Sequence, residues 1–352
     1  RFQMFLDAVK EIAEIDLLFY VPGDMDTSPS SVTQLERSLS THFKAPIRLF
    51  LCQKSGSLDS IAKLRSHAAG TFNFFRQPLF AGTAGIKQIR AFEACLDYKQ
   101  DAIFVHRLGA MCPILLTRKA LPPVFFDLDD IEYISFRRGI PYLRRKRAKL
   151  LSYLSLPALF WGQYRSVRLV HRTFVCSDVD CRYLANRWHL KGVSVIPNAV
   201  KIPAPQPLTL EPSLLFIGSY HHKPNIYAAE FLIRQIWPLI HQKVPTATLT
   251  IAGTPPKNIP SYRSDKNGVR FAGFVEDLDG LYRQSRVVCA PILSGSGTRI
   301  KIIEAAAYCR PIVSTRIGAE GLEMRNGYEI FLRDDAESFA EACIRLLNDH
   351  DT

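Results

Sequence analysis

Along the second half of the chain, short continuous apolar runs alternate with amphipathic stretches. The runs are SLLFIGS, TATLTIAGT, VRFAGFV, SRVVCAPI, RPIVST and EIFL; between them NIYAAEFLIRQIWPLI, DLDGLYRQ, TRIKIIEAAAYC and ESFAEACIRLLNDH carry apolar positions at helical spacing. Uninterrupted apolar strands separated by helices predict a parallel sheet covered on both faces, because right-handed crossovers place a helix after each strand. The first half follows the same pattern with IDLLFYVP, PIRLFLCQ, DAIFVHR, PVFFDLD, TFVCS and VSVIPN. Ser177, after TFVCS, is placed to cap a helix over DVDCRYLANRW. The expectation is α/β throughout: two doubly wound, Rossmann-like domains.

Between the halves, PNAVKIPAPQPLTLEP holds five prolines and no helical period. Proline restricts both its own residue and the one before it, so this reads as an extended linker. The expected division is a first domain over 1–200, a linker over 201–212 and a second domain over 213–352. Doubly wound domains usually open on a strand, whereas this chain opens on a helix, and its last helix stops without a return across the linker. Both ends are therefore expected to be incomplete.

A length of 352 residues fits two domains of ordinary size. No run of 18 apolar residues occurs, and RFQMFLDAVKEIAE lacks the apolar core of a signal peptide, so the expectation is a cytoplasmic protein. The eight cysteines show no CxxC pair or metal-site spacing and read as free thiols. Charge is uneven: residues 1–200 carry 28 Lys and Arg against 17 Asp and Glu, while 201–352 carry 17 against 16. The first half is thus the side expected to meet an anionic surface.

The chemistry concentrates in GSGTRIKIIEAAAYC, which runs from the end of one strand into a helix. In open α/β sheets ligands settle at the carboxyl ends of strands. Small residues there let a ligand approach the backbone, and the first N–H groups of the helix present partial positive charge to an anion. Thr298 is the expected N-cap, with Ile300, Ile303 and Ala307 as the buried face. Lys301 and Glu304 then share another face, three residues apart, beside Arg299. Two cations and a helix terminus suit a diphosphate, and Glu304 suits sugar hydroxyls beside it. The simpler alternative, that Lys301 and Glu304 are an exposed helix pair, stays open on the residues alone.

The segments FIGSYHHKPN, TLTIAG, VRFAGFVEDLDGLYRQSRVVCAPILSGSGTRIKIIEAAAYCRPIVST and IGAEGLE, in that order and over about residues 213–347, resemble the donor-binding domain of the retaining glycosyltransferases called glycosyl transferases group 1. That family has the GT-B fold, two Rossmann-like domains facing across a cleft. TFVCSDVDCRYL and VSVIPNAV resemble the elements that close its first domain. The resemblance implies transfer of a sugar from a nucleotide-diphosphate sugar to a glycan or lipid-linked acceptor, in bacterial cell-surface polysaccharide or glycolipid synthesis, without a metal or other cofactor. It places Glu304 on the nucleotide ribose, Arg299 and Lys301 on the leaving diphosphate, and Gly273, Phe274 and Val275 beside the base. Gly218, Ser219, Lys223, Gly297 and Thr298 border the donor. Three departures stand out: Ser296 occupies the place of the family's first carboxylate, Ser219 that of a frequent arginine, and Lys223 lies one residue short of the usual lysine. A nucleotide-sugar-binding protein or epimerase without transfer activity is the alternative.

The first domain would carry the acceptor, with His106, Asp129 and Asp130 at or just past strand ends and Asp127 structural. For His106 a structural hydrogen bond and a site role remain equal readings. From Arg137 to Lys149 the chain has seven cations in thirteen residues, followed by the uncharged LLSYLSLPALFWGQY. A basic stretch beside an aromatic, apolar one suits an anionic membrane interface over residues 137–164. A solvated basic helix face followed by a core helix is the plain alternative. Nucleic acid is not expected as a partner, since no reading motif accompanies the charge.

Overall fold

The computed structural model describes residues 2–54, 85–205, 207–254 and 267–349. Gln206 of the expected linker lies outside these residues. The chain divides into two compact units, Arg1–Tyr133 with Leu143–Ile196, and Ile134–Tyr142 with Pro197–Thr352.

In the first unit all six expected apolar runs are strands. β1 (Ile15–Val21) and β2 (Ile47–Gln53) pair in parallel, with Ile15 opposite Ile47. β3 (Ile103–His106), β4 (Val124–Asp129), β5 (Arg172–Val175) and β6 (Val193–Val195) form a second parallel sheet in sequence order. The helix Pro29–Phe43 starts where Ser28 accepts from the amide of Ser31 and Pro29 opens the first turn. Ser177 caps Asp178–Arg187 as the sequence predicts, accepting from the Asp180 amide at 3.1 Å. Between β1 and β3 lies a cavity of 1590 Å³, lined by Leu17, Phe19, Phe104, Phe125 and Phe174 and reaching His106 and Glu132.

In the second unit β7 (Ser213–Ile217), β8 (Thr248–Ala252), β9 (Val269–Gly273), β10 (Val287–Ala290), β11 (Ile312–Ser314) and β12 (Phe331–Leu332) make one parallel sheet in the order β12-β11-β10-β7-β8-β9. Alternate residues of each strand enter opposite cores. Leu214, Phe216, Leu249, Ile251, Val287 and Cys289 pack with the helices of residues 223–243 and 336–348. Leu215, Val288, Ala290 and Ile312 pack with Tyr282, Ile302 and Ala305. Both faces are dry, which is why these strands read as unbroken apolar runs.

The stretch NIYAAEFLIRQIWPLI is not one regular helix: Lys223–Phe231 passes through a π-helical turn, Leu232–Ile236, into Trp237–Lys243. Pro238 has no N–H to offer to the turn before it, and the wider turn absorbs that missing bond. Arg286, fully buried, closes the domain's end. Its guanidinium donates to the carbonyls of Leu346, Leu210 and Asp349 at 3.1, 3.2 and 2.7 Å. A buried guanidinium tied to three carbonyls satisfies helix-end oxygens and fixes the incoming chain at once.

β7 is the strand from which the connections diverge, β8 on one side and β10 on the other. The crevice for a ligand in such a sheet lies at the carboxyl ends of β7 and β10, adjacent strands whose connections run to opposite sides.

Candidate functional site at the switch point of the six-stranded sheet

The loop after β7 and the helix after β10 meet through one side chain, Asn225. Its Nδ2 donates to the Ser219 carbonyl at 2.8 Å and its Oδ1 accepts from Lys301 Nζ at 2.9 Å. A Cβ at Gly218 would lie 2.8 Å from Asn225 Cγ, so the glycine is what lets the asparagine in. Lys301 Nζ also lies 4.4 Å from the Phe216 ring centroid. Burial, and secondly the Arg299 guanidinium, bring the Lys301 ammonium down from its usual range to about 7, against the opposing pull of Glu304. A buried ammonium held by a neutral amide and a ring face is a cation whose charge is not yet balanced by a full salt bridge; an arriving anion would supply it.

Glu304, one helical turn further on, accepts from Tyr282 Oη at 2.9 Å. Tyr282 is fully buried and stacks on Tyr308, ring centroids 4.6 Å apart. Burial first, and the Glu304 carboxylate second, raise the phenol far above its ordinary range, so it stays a proton donor. The Tyr308 hydroxyl in turn donates to Asp279. Glu304 is thereby fixed in one orientation by a packed aromatic pair.

The helix itself is Ile300–Ala307, and its cap position is Arg299, not Thr298. Thr298 Oγ1 instead accepts from Asn198 Nδ2 at 2.7 Å. The buried face is Ile302 and Ala305, not the expected Ile300, Ile303 and Ala307; Ile300 is exposed. With only eight residues, the helix turns its apolar stripe according to where β10 and β11 offer room, and the pattern Ile-x-x-Ile-x-x-x-Ala fitted either choice. Lys301 and Glu304 still share a face, flanking the buried stripe.

Arg299 does not project away from the loop. Its guanidinium donates to the carbonyls of Ser296 and Gly297, the latter at 3.1 Å. Gly295 sits at φ +119, and a Cβ there would come within 2.5 Å of the Arg299 guanidinium. The small-residue loop therefore wraps its own arginine, which holds the loop's shape. Ser296 is buried, as are Gly295 and Gly297. The loop is also held from outside the motif: Arg138 donates to the Gly295 carbonyl at 2.9 Å and pairs through both terminal nitrogens with the Glu320 carboxylate.

At the far side of the switch point, Gly273 ends β9 at φ +65, and Phe274 after it is 76% exposed. Ser219 and Lys223 are both exposed beside the Asn225 contact.

In the first unit His106 Nδ1 is 2.9 Å from Oδ2 of the buried Asp127. Asp129 and Arg107 both adopt positive φ, at 61 and 68, and the Arg107 guanidinium reaches Asp129 Oδ2 at 3.4 Å. Two adjacent strand ends thus bring His106, Arg107, Asp127 and Asp129 together, and Asp130 follows with its amide on the Leu128 carbonyl at 2.7 Å. Burial raises the nearby Glu132 carboxyl against the lowering effects of the Leu108 backbone and Arg107. Among the described residues no three His, Cys, Asp or Glu side chains gather as a metal site, and no helix is long and apolar enough to cross a membrane.

Residues 211–349 match the family described as Glycosyl transferases group 1. The matched stretch spans the six-stranded sheet and its helices. It contains the whole β7 and β10 constellation. Over 140 residues the chain is 25% identical to an uncharacterized 44.6 kDa protein in the cps region of Klebsiella pneumoniae, covering 38% of this chain and 36% of that one. Among solved structures, sucrose-phosphate synthase from Thermosynechococcus elongatus superposes with TM-score 0.61 at 16% identity, over 96% of this chain and 90% of the other. Anabaena Alr3699/HepE in complex with UDP-glucose gives 0.58 at 12%, over 96% and 90%. S. aureus TarM, in complex with fondaparinux, alpha-GlcNAc-glycerol and UDP, gives 0.58 at 15%, over 75% of this chain and 52% of TarM. The chain spans about half the length of the TarM structure that it matches. At these identities the likeness establishes the fold, the GT-B architecture of two Rossmann-like domains.

Four residues around this site were not singled out by the sequence: Asn198, Asn225, Tyr282 and Glu320. Asn225 alone had a readable signal, standing two residues after Lys223 in HHKPN at the start of a helix. Tyr282 sits in an ordinary amphipathic pattern, where an aromatic reads as core. Arg138, which lies outside the domain's motif range, was legible only as one charge in a basic run.

Proposed function

We propose that the chain is a glycosyltransferase that moves a sugar from a nucleotide-diphosphate sugar to a glycan or lipid-linked acceptor, with retention of anomeric configuration, in cell-surface polysaccharide or glycolipid synthesis. The observation that carries this is the pairing on one helix face of Lys301 and Glu304, held from behind by Asn225 and by the buried Tyr282 respectively, at the switch point of the sheet. A cation and a carboxylate one turn apart match the two chemically unlike ends of a nucleoside diphosphate: phosphate for Lys301 and the helix N-terminus, ribose hydroxyls for Glu304. Phe274, exposed beside Gly273 and Val275, offers a face for the base. The match of residues 211–349 to group 1, the complexes of TarM and HepE with UDP and UDP-glucose, and the cps-region relative support the same reading.

In the proposed reaction the bond between the anomeric carbon and the diphosphate oxygen breaks and a bond to an acceptor hydroxyl forms on the same face. The hydroxyl proton passes to an oxygen of the leaving diphosphate. Such a step depends on stabilising the departing charge, which Lys301 and the helix terminus do, more than on a protein base. Arg299 contributes by fixing the loop that presents those N–H groups, as well as by its charge. His106, Asp129 and Asp130 are the acceptor-side residues, and no metal or other cofactor takes part.

Thermal shift with UDP-, GDP- and dTDP-sugars is the first test, since a bound ligand raises the melting temperature by mass action. The donor it identifies is then incubated with acceptor in the presence of a chelator, and the product anomer is read by NMR. Failure of all three nucleotide classes to shift the melt would sink the reading. The second reading, binding or epimerisation without transfer, is favoured by the buried Ser296 in place of a carboxylate; epimerised sugar with no transfer product would select it.

Tyr282→Phe tests how Glu304 is held. Losing the phenol hydroxyl removes one hydrogen bond to a carboxylate, about 1.5–3 kcal/mol at most. UDP affinity is expected to fall roughly three- to tenfold, while affinity for inorganic pyrophosphate, which has no ribose, stays unchanged. Equal losses for both ligands in calorimetry would show a general loosening instead.

A further inference from the structure

The helix Lys146–Leu169 has two faces of different character. Its inner face is Ser155, Ala158, Leu159, Gly162, Gln163, Ser166 and Val167, all buried. The opposite face carries Leu150, Tyr153, Leu154 and Trp161, which are 61, 51, 46 and 39% exposed. These positions recur at three-, four- and seven-residue steps, so they form one stripe along the helix. Cations bracket it: Lys146 and Arg147 at the start, Arg165 and Arg168 at the end, and Arg144 and Arg145 just before. Residues 143–172 hold eight Lys and Arg and no Asp or Glu.

Globular proteins place isolated apolar residues on their surfaces, but not an ordered aromatic and leucine stripe between cationic ends. Trp161 is also held firmly, packed edge-on against Phe160 and Tyr164 at 5.6 and 5.4 Å. A rigid, half-exposed tryptophan suits the boundary between headgroups and acyl chains. The helix is about 36 Å long at 1.5 Å per residue. It is too polar to cross a bilayer, and Pro157 cannot donate to the Tyr153 carbonyl, which calls for solvent or headgroup nearby.

We propose that the helix Lys146–Leu169 docks flat on an anionic lipid surface, with Leu150, Tyr153, Leu154 and Trp161 entering the headgroup boundary and the flanking cations on lipid phosphates. The chemistry selects this occupant: apolar contact alone would suit a protein groove, and charge alone a nucleic acid, but the stripe combines both with one sign of charge throughout. The proposal rests on the transferase reading for its purpose, bringing the enzyme to a lipid-borne acceptor, and on the helix alone for its evidence.

The test uses the whole chain in flotation with phosphatidylcholine vesicles, with and without about 30% phosphatidylglycerol. Partitioning is expected to be at least about tenfold stronger on the anionic vesicles and to weaken with salt. Trp emission is expected to shift to the blue on binding, a shift lost in Trp161→Phe. The double variant Leu150→Ser with Leu154→Ser keeps the charge and is expected to lose about tenfold of the partitioning. UDP affinity of each variant, measured by calorimetry, checks that it is folded. No binding to anionic vesicles at low salt, or a double variant that binds like wild type and is competed off by RNA, would overturn the proposal. A wild-type chain that floats but binds no nucleotide leaves docking in place and removes the transferase reading.

Discussion

Lys301→Ala is expected to weaken UDP binding about 10- to 150-fold at pH 7, the equivalent of one charge-assisted contact to phosphate. The effect should also carry a pH signature. With its pKa brought down to about 7 by burial and by Arg299, Lys301 is largely neutral in the free protein above pH 8. A diphosphate favours the ammonium, so binding at that pH must take up a proton. Wild-type affinity should therefore fall as pH rises from 7 to 9, by up to about tenfold per unit, and the slope should be absent in Lys301→Ala. Calorimetry in two buffers of different ionisation enthalpy reads the proton uptake directly. The same shift has the opposite consequence for the unliganded fold. Between about 7 and the unfolded value of 10.5 the unfolded chain holds the proton and the folded chain does not, so this group's contribution to stability rises with pH. Unchanged affinity with an unchanged slope in the variant would remove Lys301 from the site.

The second large effect is expected from Gly253→Ala. Gly253 follows β8 at φ +131, and its amide donates to the Gly273 carbonyl at 2.6 Å. A Cβ there would lie 1.9 Å from the Gly218 carbonyl oxygen, a clash no rotamer relieves because both partners are backbone. Left-handed strain and overpacking together should cost about 2–6 kcal/mol, lowering the melting temperature by about 10 °C for a chain of this size. The displacement pushes on Gly218, behind which Asn225 and Lys301 are aligned, so UDP affinity should drop in whatever fraction remains folded. A melting point within about 2 °C of wild type would show that the three strand ends are not packed as tightly as they stand.

Strand placement was legible because the apolar runs are unbroken, most plainly in the six-stranded sheet, which is buried on both faces: every apolar run from IDLLFYVP to EIFL became a strand. What the pattern could not decide was rotation and partnership. An eight-residue helix of Ile and Ala offers two nearly equivalent stripes, and the choice of Ile302 and Ala305 was made by the strands beneath. The contacts of Arg299 within its own loop were not legible for a related reason. A cation beside glycines suggests a ligand contact, yet the same glycines leave room for the guanidinium to fold back on their carbonyls. His106 and Asp127 illustrate the opposite case, since their pairing at 2.9 Å follows from β3 and β4 being neighbours in register. Tyr282 escaped notice because a buried phenol looks, along a chain, like any other core aromatic of a helix.

The segment Ile134–Tyr142 has a consequence for how this protein can be taken apart. By its contacts it belongs with residues 197–352, although the chain on both sides of it belongs to the other unit. The polypeptide therefore passes from one unit to the other three times, and severing it at the proline-rich linker cuts only one of those passages. A fragment beginning at Pro197 would lack Arg138, leaving Glu320 without its guanidinium and the Gly295 carbonyl without that donor. The Gly295–Thr298 loop is thus completed by a piece of chain that arrives from elsewhere in the sequence, and the proposed nucleotide site would be a property of the whole polypeptide rather than of its second half.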